Sequence, residues 1–210
     1  MYMYMNIINK YLFLVIFAVV LVSGANAKSN SRPDLVVKNM TNLVLMKLSA
    51  NLPRIKNNPK KAKDLANKLV NDIAPSLDLA RISWSIVGKY WRSATKNQKL
   101  TFMLEFRKLL VNTYFNALME YTGQKVKYRP YRHIASSKNA RIVGNFITER
   151  GRKIPLSYGL HNSSKHGWRV YDVTVSGVSL VTSYRSSFAL TLKEHGMNGL
   201  IKILKSRNDK

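Results

Sequence analysis

The side chains that most often carry out catalysis are few in this sequence and lie far apart. The 210-residue chain has no cysteine, four histidines and ten acidic residues, and it lacks the G-x-S-x-G, P-loop and H-E-x-x-H patterns. His161 and His166 are expected to fall in one polar turn without a third ligand in view, which favours solvent-exposed turn residues over a metal site. Asp172 is the one candidate for an acid–base pair, and its strand position favours a structural role. The sequence therefore predicts no enzyme, no catalytic residue and no metal ligand.

Positive charge is the strongest feature of the composition. The chain has 35 Lys and Arg residues against 10 acids, which gives a formal net charge of +25. The segment KVKYRPYRH interleaves basic and aromatic side chains, as nucleic-acid-binding surfaces do. The charges nevertheless recur along the whole chain. Three interpretations remain: a solvated basic surface, attraction to anionic head groups or an acidic partner, and a nucleic-acid site.

The first residues have the pattern of a secretory signal peptide. A weakly basic start is followed by an apolar run from Tyr11 to Ser23, and Ala25-Asn26-Ala27 supplies a small-x-small cleavage site. The run is shorter than the roughly 20 residues that span a bilayer. We expect residues 1–27 to be removed and residues 28–210 to form a single domain in the periplasm; the alternative is an uncleaved anchor. The lack of cysteine means that this domain needs no disulfide.

Helical periodicity dominates the first half of the mature chain. Apolar spacing predicts helices from Asp34 to Leu52, from Pro59 to just before Pro75, and from Ser76 to a stop near Gly88. Thr95 and Gln98 form a T-x-x-Q capping box that predicts a long helix from Thr95 to Tyr121. The apolar arc of that helix is wider than a single neighbour would cover. We expect this helix to be enclosed on most sides or to face a second apolar space.

The periodicity changes to two after Gly123. QKVKYRPY, ARIVGNFITE, KIPLSYGLHN and WRVYDVTV predict four strands of an antiparallel meander. Strict alternation in the last strand places Tyr171, Val173 and Val175 on one face and Trp168, Val170 and Thr174 on the other. Helical spacing returns from Ser179, and a short final helix is expected from Asn198 to Lys205. The fold class predicted is α+β, a four-stranded antiparallel sheet with a helical layer on one face.

Three segments of the chain resemble one protein family in order and spacing. They are VGKYWRSATKNQKLTFMLEFRKLLVNTYFNALMEYTGQKV, GWRVYDVTVSGVSLVTSYRSSF and GMNGLIKIL. The strings G-K-Y-W-R-x-A-T, W-x-V-Y-D and G-V-S-L-V-x-x-Y-R-S-x-F are specific ones. With them the chain resembles the MlaC family, also called toluene-tolerance auxiliary proteins, from about Pro33 to Leu204.

The resemblance implies a function and a set of partners. Members of the family are periplasmic carriers that move phospholipids between an inner-membrane ABC transporter complex, with its substrate-receiving subunit, and an outer-membrane lipoprotein–porin complex. They maintain the lipid asymmetry of the outer membrane. The resemblance implies a monomer that needs no cofactor, holds phospholipid as cargo and binds no nucleic acid. The helical layer and the sheet would then enclose an apolar lipid cavity.

The residues expected to face the lipid tails are apolar or aromatic groups of the helices and strands that would enclose this cavity. They are Trp84, Val87, Phe106, Leu110, Tyr114, Tyr158, Tyr171, Val173, Val178, Val181, Tyr184 and Phe188. Ordinary core packing is the alternative for each, because spacing does not separate a cavity wall from a filled core. Arg185 and Arg92 are expected to meet a phosphate at the cavity mouth, since guanidinium matches phosphate in a bidentate manner.

Other functions remain open from the sequence. The chain could bind another hydrophobic ligand, such as a single-chain or sterol-like compound. An enzyme would need an acid–base pair that includes Asp172. A basic interaction or nucleic-acid-binding protein would hold no lipid and would lose affinity steeply with salt.

Overall fold

The computed structural model describes residues 32–119, 122–134 and 136–209, with side chains described at all of these except 73 and 114–119. The predicted signal peptide, residues 1–27, lies outside the described residues. So does Tyr121, the predicted end of the long helix.

A helical hairpin begins the described chain. Helix α1 spans Pro33–Ile55 and helix α2 spans Pro59–Ile73. Asn58 caps α2, because its side-chain oxygen accepts a hydrogen bond from the Lys61 backbone N–H at 3.0 Å. The predicted end of this helix at Leu52, before Pro53, is wrong, because the helix continues to Ile55. Pro53 lies in the last turn of α1, so its missing N–H removes only one helical bond, and the Lys56 N–H still closes the helix onto the Leu52 carbonyl.

Two short helices lead into a long one. A 3-10 turn, Ala74–Ser76, precedes helix α3, Leu79–Val87, which starts late because Asp78 caps it through the Arg81 N–H. The stop predicted near Gly88 is confirmed, since Gly88 takes a φ of 59°. Helix α4 is Tyr90–Ser93 and helix α5 is Lys96–Met119.

The capping box predicted for α5 is present. The Thr95 N–H donates to Gln98 Oε1 at 2.7 Å, and the Gln98 N–H donates to Thr95 Oγ1 at 3.2 Å. Two otherwise unpaired donors at the helix start are thereby satisfied.

The sheet is an antiparallel meander with five strands, one more than predicted. The strands are β1 (Lys125–Tyr128), β2 (Asn139–Ile147), β3 (Lys153–Ser163), β4 (Gly167–Val175) and β5 (Val178–Ser179), and they lie in sequence order. The fifth strand has only two residues, paired with Thr174 and Val175. A strand this short has no periodicity to recognise, which is why the four-stranded prediction was wrong.

A β-bulge in β4 corrects the predicted faces of that strand. Gly159 pairs with Asp172 but Leu160 pairs with Val170, so Tyr171 is the extra residue. Trp168 and Val170 before the bulge, and Val173 and Val175 after it, are therefore all buried in the same core. The prediction that Trp168 and Val170 face away from Val173 and Val175 is wrong.

The C-terminal helix begins where β5 ends. Helix α6 spans Leu180–Asn208 and contains non-helical backbone at Gly196, with φ 60° and ψ −162°. The short final helix expected from Asn198 is the segment of α6 after this break. Helix α1 lies against β2 and β4, α6 contacts β4, and α5 packs between α2 and α6. The α+β class is confirmed, and none of the helices within the described ranges is both long and apolar enough to cross a bilayer.

Candidate functional site

Two apolar clusters fill the described part of the chain. The sheet-side cluster combines the buried face of β2, β3 and β4 with residues of α1 and α2. The helix-side cluster is built from α3, α5 and α6. Leu77, Leu110 and Tyr184 are partly buried and pack against both clusters. These three side chains therefore form an apolar junction between the two clusters.

The predicted tail-facing residues divide between these two clusters. Tyr158 and Val173 are buried in the sheet-side cluster. Val87, Phe106, Val181 and Phe188 are buried in the helix-side cluster, and Tyr171 packs against it. Leu110 and Tyr184 lie at the junction itself. Trp84 and Val178 are 43% and 40% exposed, and the side chain of Tyr114 lies outside the described residues.

Aromatic rings occupy the helix-side edge of the junction. The Phe106 ring centroid lies 4.9 Å from that of Tyr184, edge to face, and Tyr184 lies 5.5 Å from Phe188. Phe102 stacks on Phe106 with centroids 5.7 Å apart. Aromatic pairs at these distances stabilise the packing by about 0.5–1.5 kcal/mol each beyond the area that they bury. In this conformation the side chains pack against one another on that side of the junction.

The bulge places Tyr171 on the opposite face of the sheet from Tyr158. Its ring covers Gly159, where an added Cβ would lie 3.1 Å from the Tyr171 Cζ. The guanidinium carbon of Arg81 lies 5.6 Å from the ring centroid, within range of a cation–π interaction. Tyr171 thus contacts α3 and the helix-side cluster from outside the sheet-side core.

The two predicted phosphate-binding arginines are both exposed, but their surroundings differ. Arg185 donates from Nε to the carbonyl oxygen of Ser85 at 2.7 Å and from Nη2 to the same oxygen. It therefore links α6 to α3. Arg92 lies in the last turn of the short helix α4.

A group of hydroxyls beneath α1 was not anticipated from the sequence. Thr41 and Tyr128 share a hydrogen bond between their hydroxyl oxygens. The Tyr158 hydroxyl lies buried near Thr41 and Tyr128, in no hydrogen-bond geometry with any described residue. Burial raises the pKa of Tyr158 to about 12, although the Thr41 and Tyr128 hydroxyls act to lower it. Alternation could place Tyr158 in the core, but no sequence signal shows which hydroxyl pairs there.

Asp172 holds the turn that joins the sheet to α6. Its carboxylate accepts hydrogen bonds from the Ser179 hydroxyl at 2.8 Å, the Val173 N–H at 2.9 Å and the Val181 N–H at 3.2 Å. The last bond satisfies a backbone donor in the first turn of α6, where a negative charge is also favourable. These contacts give Asp172 the structural role that its strand position favoured.

The two histidines do not share a turn. His161 lies in β3, where its Nδ1 is 3.0 Å from the side-chain oxygen of Asn139. Burial and the nearby Arg81 charge lower the pKa of His161, and the Arg169 charge lowers the pKa of His166. Among the residues that the structure describes, no three His, Asp or Glu side chains are grouped as metal ligands would be.

Comparison with known proteins places this architecture among characterised relatives. A family model described as "MlaC protein" matches residues 38–206. The toluene tolerance protein ttg2D of Pseudomonas putida is 32% identical over 166 residues, which cover 78% of this chain and 74% of that protein. The intermembrane phospholipid transport system binding protein MlaC of Haemophilus influenzae is 24% identical over 202 residues, 94% of this chain and 93% of that one.

A solved structure shows the same fold with a ligand. The phospholipid-binding protein from Ralstonia solanacearum, determined in complex with a phospholipid, aligns with a TM-score of 0.76 and 28% identity. The alignment covers 85% of this chain and 98% of that one. The fold described above is thus similar, over nearly all of its length, to one that holds a phospholipid.

Proposed function

The chain belongs to the MlaC family, and from that membership we propose that it binds phospholipids and carries them between membranes. The observation that carries the proposal is the match to the Ralstonia solanacearum phospholipid complex over 98% of that protein. The Haemophilus influenzae relative is named for intermembrane phospholipid transport. The same family membership supports a role in maintaining outer-membrane lipid asymmetry.

A carrier is needed because the acyl chains of a phospholipid are poorly soluble in water. Each exposed methylene costs about 0.8 kcal/mol, so two chains with about 30 methylenes cost on the order of 20 kcal/mol. A lipid that crosses an aqueous compartment at a useful rate must keep its tails inside a protein. An apolar site with a polar opening meets that requirement.

We place the tails at the junction between the sheet-side and helix-side clusters. Leu110 and Tyr184 contact both clusters, and the predicted tail-facing residues lie on the two sides. The rings of Phe106, Tyr184 and Phe188 pack together in this structure, so the clusters must separate for the tails to enter. The buried Tyr158 hydroxyl is available to donate to an ester oxygen of the lipid.

Arg185 is the stronger of the two candidates for the head-group phosphate. It belongs to the same helix as Tyr184 and Phe188, and its guanidinium already binds an oxygen acceptor, the Ser85 carbonyl. A phosphate would replace a neutral acceptor with an anionic one and so strengthen the hydrogen bonds. Arg92 remains a second candidate from α4.

The location and the partners follow from the same proposal. Export with removal of residues 1–27 would release the protein into the periplasm, where it would act as a monomer. Its partners there would be an inner-membrane ABC transporter complex and an outer-membrane lipoprotein–porin complex. Transfer would be passive, through separation of the helices from the sheet.

Native mass spectrometry of the exported protein tests the proposal, with lipid identification after denaturation. We expect a co-purifying mass of one phospholipid. A single-chain or sterol-like ligand would instead favour the alternative hydrophobic cargo. Protein that carries no lipid and refuses added phospholipid would overturn the carrier function and leave the apolar junction as a filled core.

A further inference from the structure

A surface cleft lies between helices α1 and α2, away from the apolar junction. It has a volume of about 440 Å³. Residues of both helices face each other across it, at spacings of three and four along each helix. They are Lys47, Asn51, Arg54 and Ile55 on α1, and Lys61, Asp64, Leu65 and Lys68 on α2.

The segment that forms this cleft is strongly basic. Residues 47–68 contain seven Lys or Arg side chains and one acid, Asp64. Lys47 pairs with Asp72 at 3.1 Å. Arg54, Lys61 and Lys68 are exposed, and their side chains take part in no hydrogen bond or ion pair within the described residues. The cleft therefore presents positive charge that the fold itself does not use.

An apolar strip of α1 adjoins the basic side chains. Met46 is 59% exposed, and Ala50 and Pro53 are exposed four and seven residues further along the same helix. Each is the sequence neighbour of a cleft residue. Exposed apolar groups beside lysine and arginine are typical of helices that lie at a membrane surface, where both the acyl boundary and the phosphates are within reach.

We propose that the α1–α2 hairpin docks on bilayers that contain anionic phospholipids, with Arg54, Lys61 and Lys68 against the head-group phosphates. Each basic side chain near an anionic surface raises affinity roughly five-fold. No partner among the described residues orients these three side chains, which suits attraction to a fluid layer of phosphates. This docking goes beyond cargo binding, since it concerns the outer surface of the protein and a membrane rather than the internal site.

Vesicle co-sedimentation tests the docking. The exported protein is mixed with vesicles of phosphatidylcholine alone, and with vesicles in which about a third of the lipid is phosphatidylglycerol. The hairpin variant combines Arg54→Gln, Lys61→Gln and Lys68→Gln. The control variant removes the same charge from exposed sites on the sheet, through Lys125→Gln, Lys127→Gln and Lys153→Gln.

We expect the unmodified protein to prefer the anionic vesicles and to be released by added salt. The hairpin variant should bind them at least ten-fold more weakly, and the control variant should stay within about three-fold of the unmodified protein. Equal losses in the two variants would show that only net charge matters and would overturn the proposal. Unchanged binding of the hairpin variant to anionic vesicles would also overturn the proposal. So would a hairpin variant that still binds the vesicles but no longer binds an acidic protein.

Failure of the docking is distinguishable from failure of the carrier function. Native mass spectrometry reads the lipid content of the same variants, which we expect to be unchanged. Absence of bound phospholipid from every variant would overturn the carrier function. The vesicle assay would still report whether the hairpin docks on anionic bilayers. Normal lipid content with no preference for anionic vesicles would overturn the docking alone.

Discussion

Two buried hydroxyl groups differ in whether a hydrogen bond within the protein satisfies them. Thr41 is fully buried and shares a hydrogen bond with Tyr128. The equally buried Tyr158 hydroxyl makes none within the described residues. Leaving a buried donor unpaired costs about 1–3 kcal/mol. That cost is offset if the hydroxyl binds a polar atom of the lipid.

We expect Tyr158→Phe to leave the free energy of unfolding of the lipid-free protein unchanged, or to raise it by up to about 1 kcal/mol. Tyr128→Phe, the matched control, should lower it by about 1 kcal/mol because Thr41 loses its partner. Urea denaturation of the two delipidated variants measures both. If Tyr158→Phe proves as destabilising as Tyr128→Phe, the Tyr158 hydroxyl has a partner in the folded protein.

Tyr158→Phe also tests the lipid site when the protein holds a phospholipid. Loss of a hydrogen bond to an ester oxygen should make Tyr158→Phe release phospholipid to acceptor vesicles about five- to ten-fold faster. Tyr128→Phe should release it at the normal rate. Equal release by both variants would remove Tyr158 from the set of residues that bind the lipid.

At the scale of elements, most of the secondary structure could be predicted because its local signals agree with the final packing. The capping box at Thr95, the cap before Pro59 and the stop at Gly88 each depend on residues close together in sequence. The alternation in β2 and β3 is regular for the same reason. These local interactions are strong enough to define an element before any tertiary contact forms.

The elements that differ from the sequence predictions depend on partners distant in sequence. The bulge at Tyr171 is visible only in the pairing with Gly159, and β5 exists only because β4 lies beside it. The candidate site shows the same limit. Helical spacing puts Tyr184 and Phe188 on one side of α6, where their ring centroids lie 5.5 Å apart. It could not show that Phe106 of α5 joins them, or that Arg185 binds the Ser85 carbonyl 100 residues away.

A buried carboxylate in the first half of α5 holds the C-terminal end of α6. Glu105 accepts a hydrogen bond from Asn208 Nδ2 at 2.8 Å and pairs with Lys108 at 2.9 Å. Burial alone would raise the pKa of Glu105, but the hydrogen bonds from Asn208 and Lys108 and the nearby positive charges outweigh it and lower the pKa. A carboxyl with a lowered pKa stabilises the fold above its unfolded pKa, and that stability is lost as the pH falls through the folded value.

We therefore expect the melting temperature to fall as the pH drops below about 4. Glu105→Gln should lower the stability at neutral pH by about 1–3 kcal/mol and make the acid decline shallower. The pKa of Asp34 is also lowered, because hydrogen bonds from Lys38 and Arg32 outweigh the effect of burial. Protonation of Asp34 would account for part of the remaining decline. Glu149→Gln at an exposed turn controls for removal of one charge. Parallel acid profiles for Glu105→Gln and the unmodified protein would contradict the assignment.

At the scale of the whole molecule, two apolar clusters that share a few side chains suit the opening that the proposed carrier function requires. Each cluster has its own buried residues, while Leu77, Leu110 and Tyr184 connect them. Separation at this junction exposes less apolar surface than unfolding either cluster would. Local opening of this kind costs less free energy than global unfolding.

Hydrogen exchange should detect that opening. We expect removal of the lipid to speed amide exchange about ten-fold or more in residues 106–111 and 181–188, because a bound ligand stabilises only the state that holds it. Exchange in the centre of β3 should change little. A uniform change across all segments would indicate global stabilisation and would contradict passage of the lipid through the junction.

One outer edge of the sheet affects whether the protein associates with other copies of itself at high concentration. Strand β1 lies at that edge, is only four residues long and carries two exposed charges, Lys125 and Lys127. Short, charged edges resist the addition of a strand from another chain. Strand β1 is thereby a poor template for a strand of a second copy, including during the opening of the apolar junction that the proposed carrier function requires. Backbone pairing between copies of the chain is therefore disfavoured at this edge when the protein is concentrated.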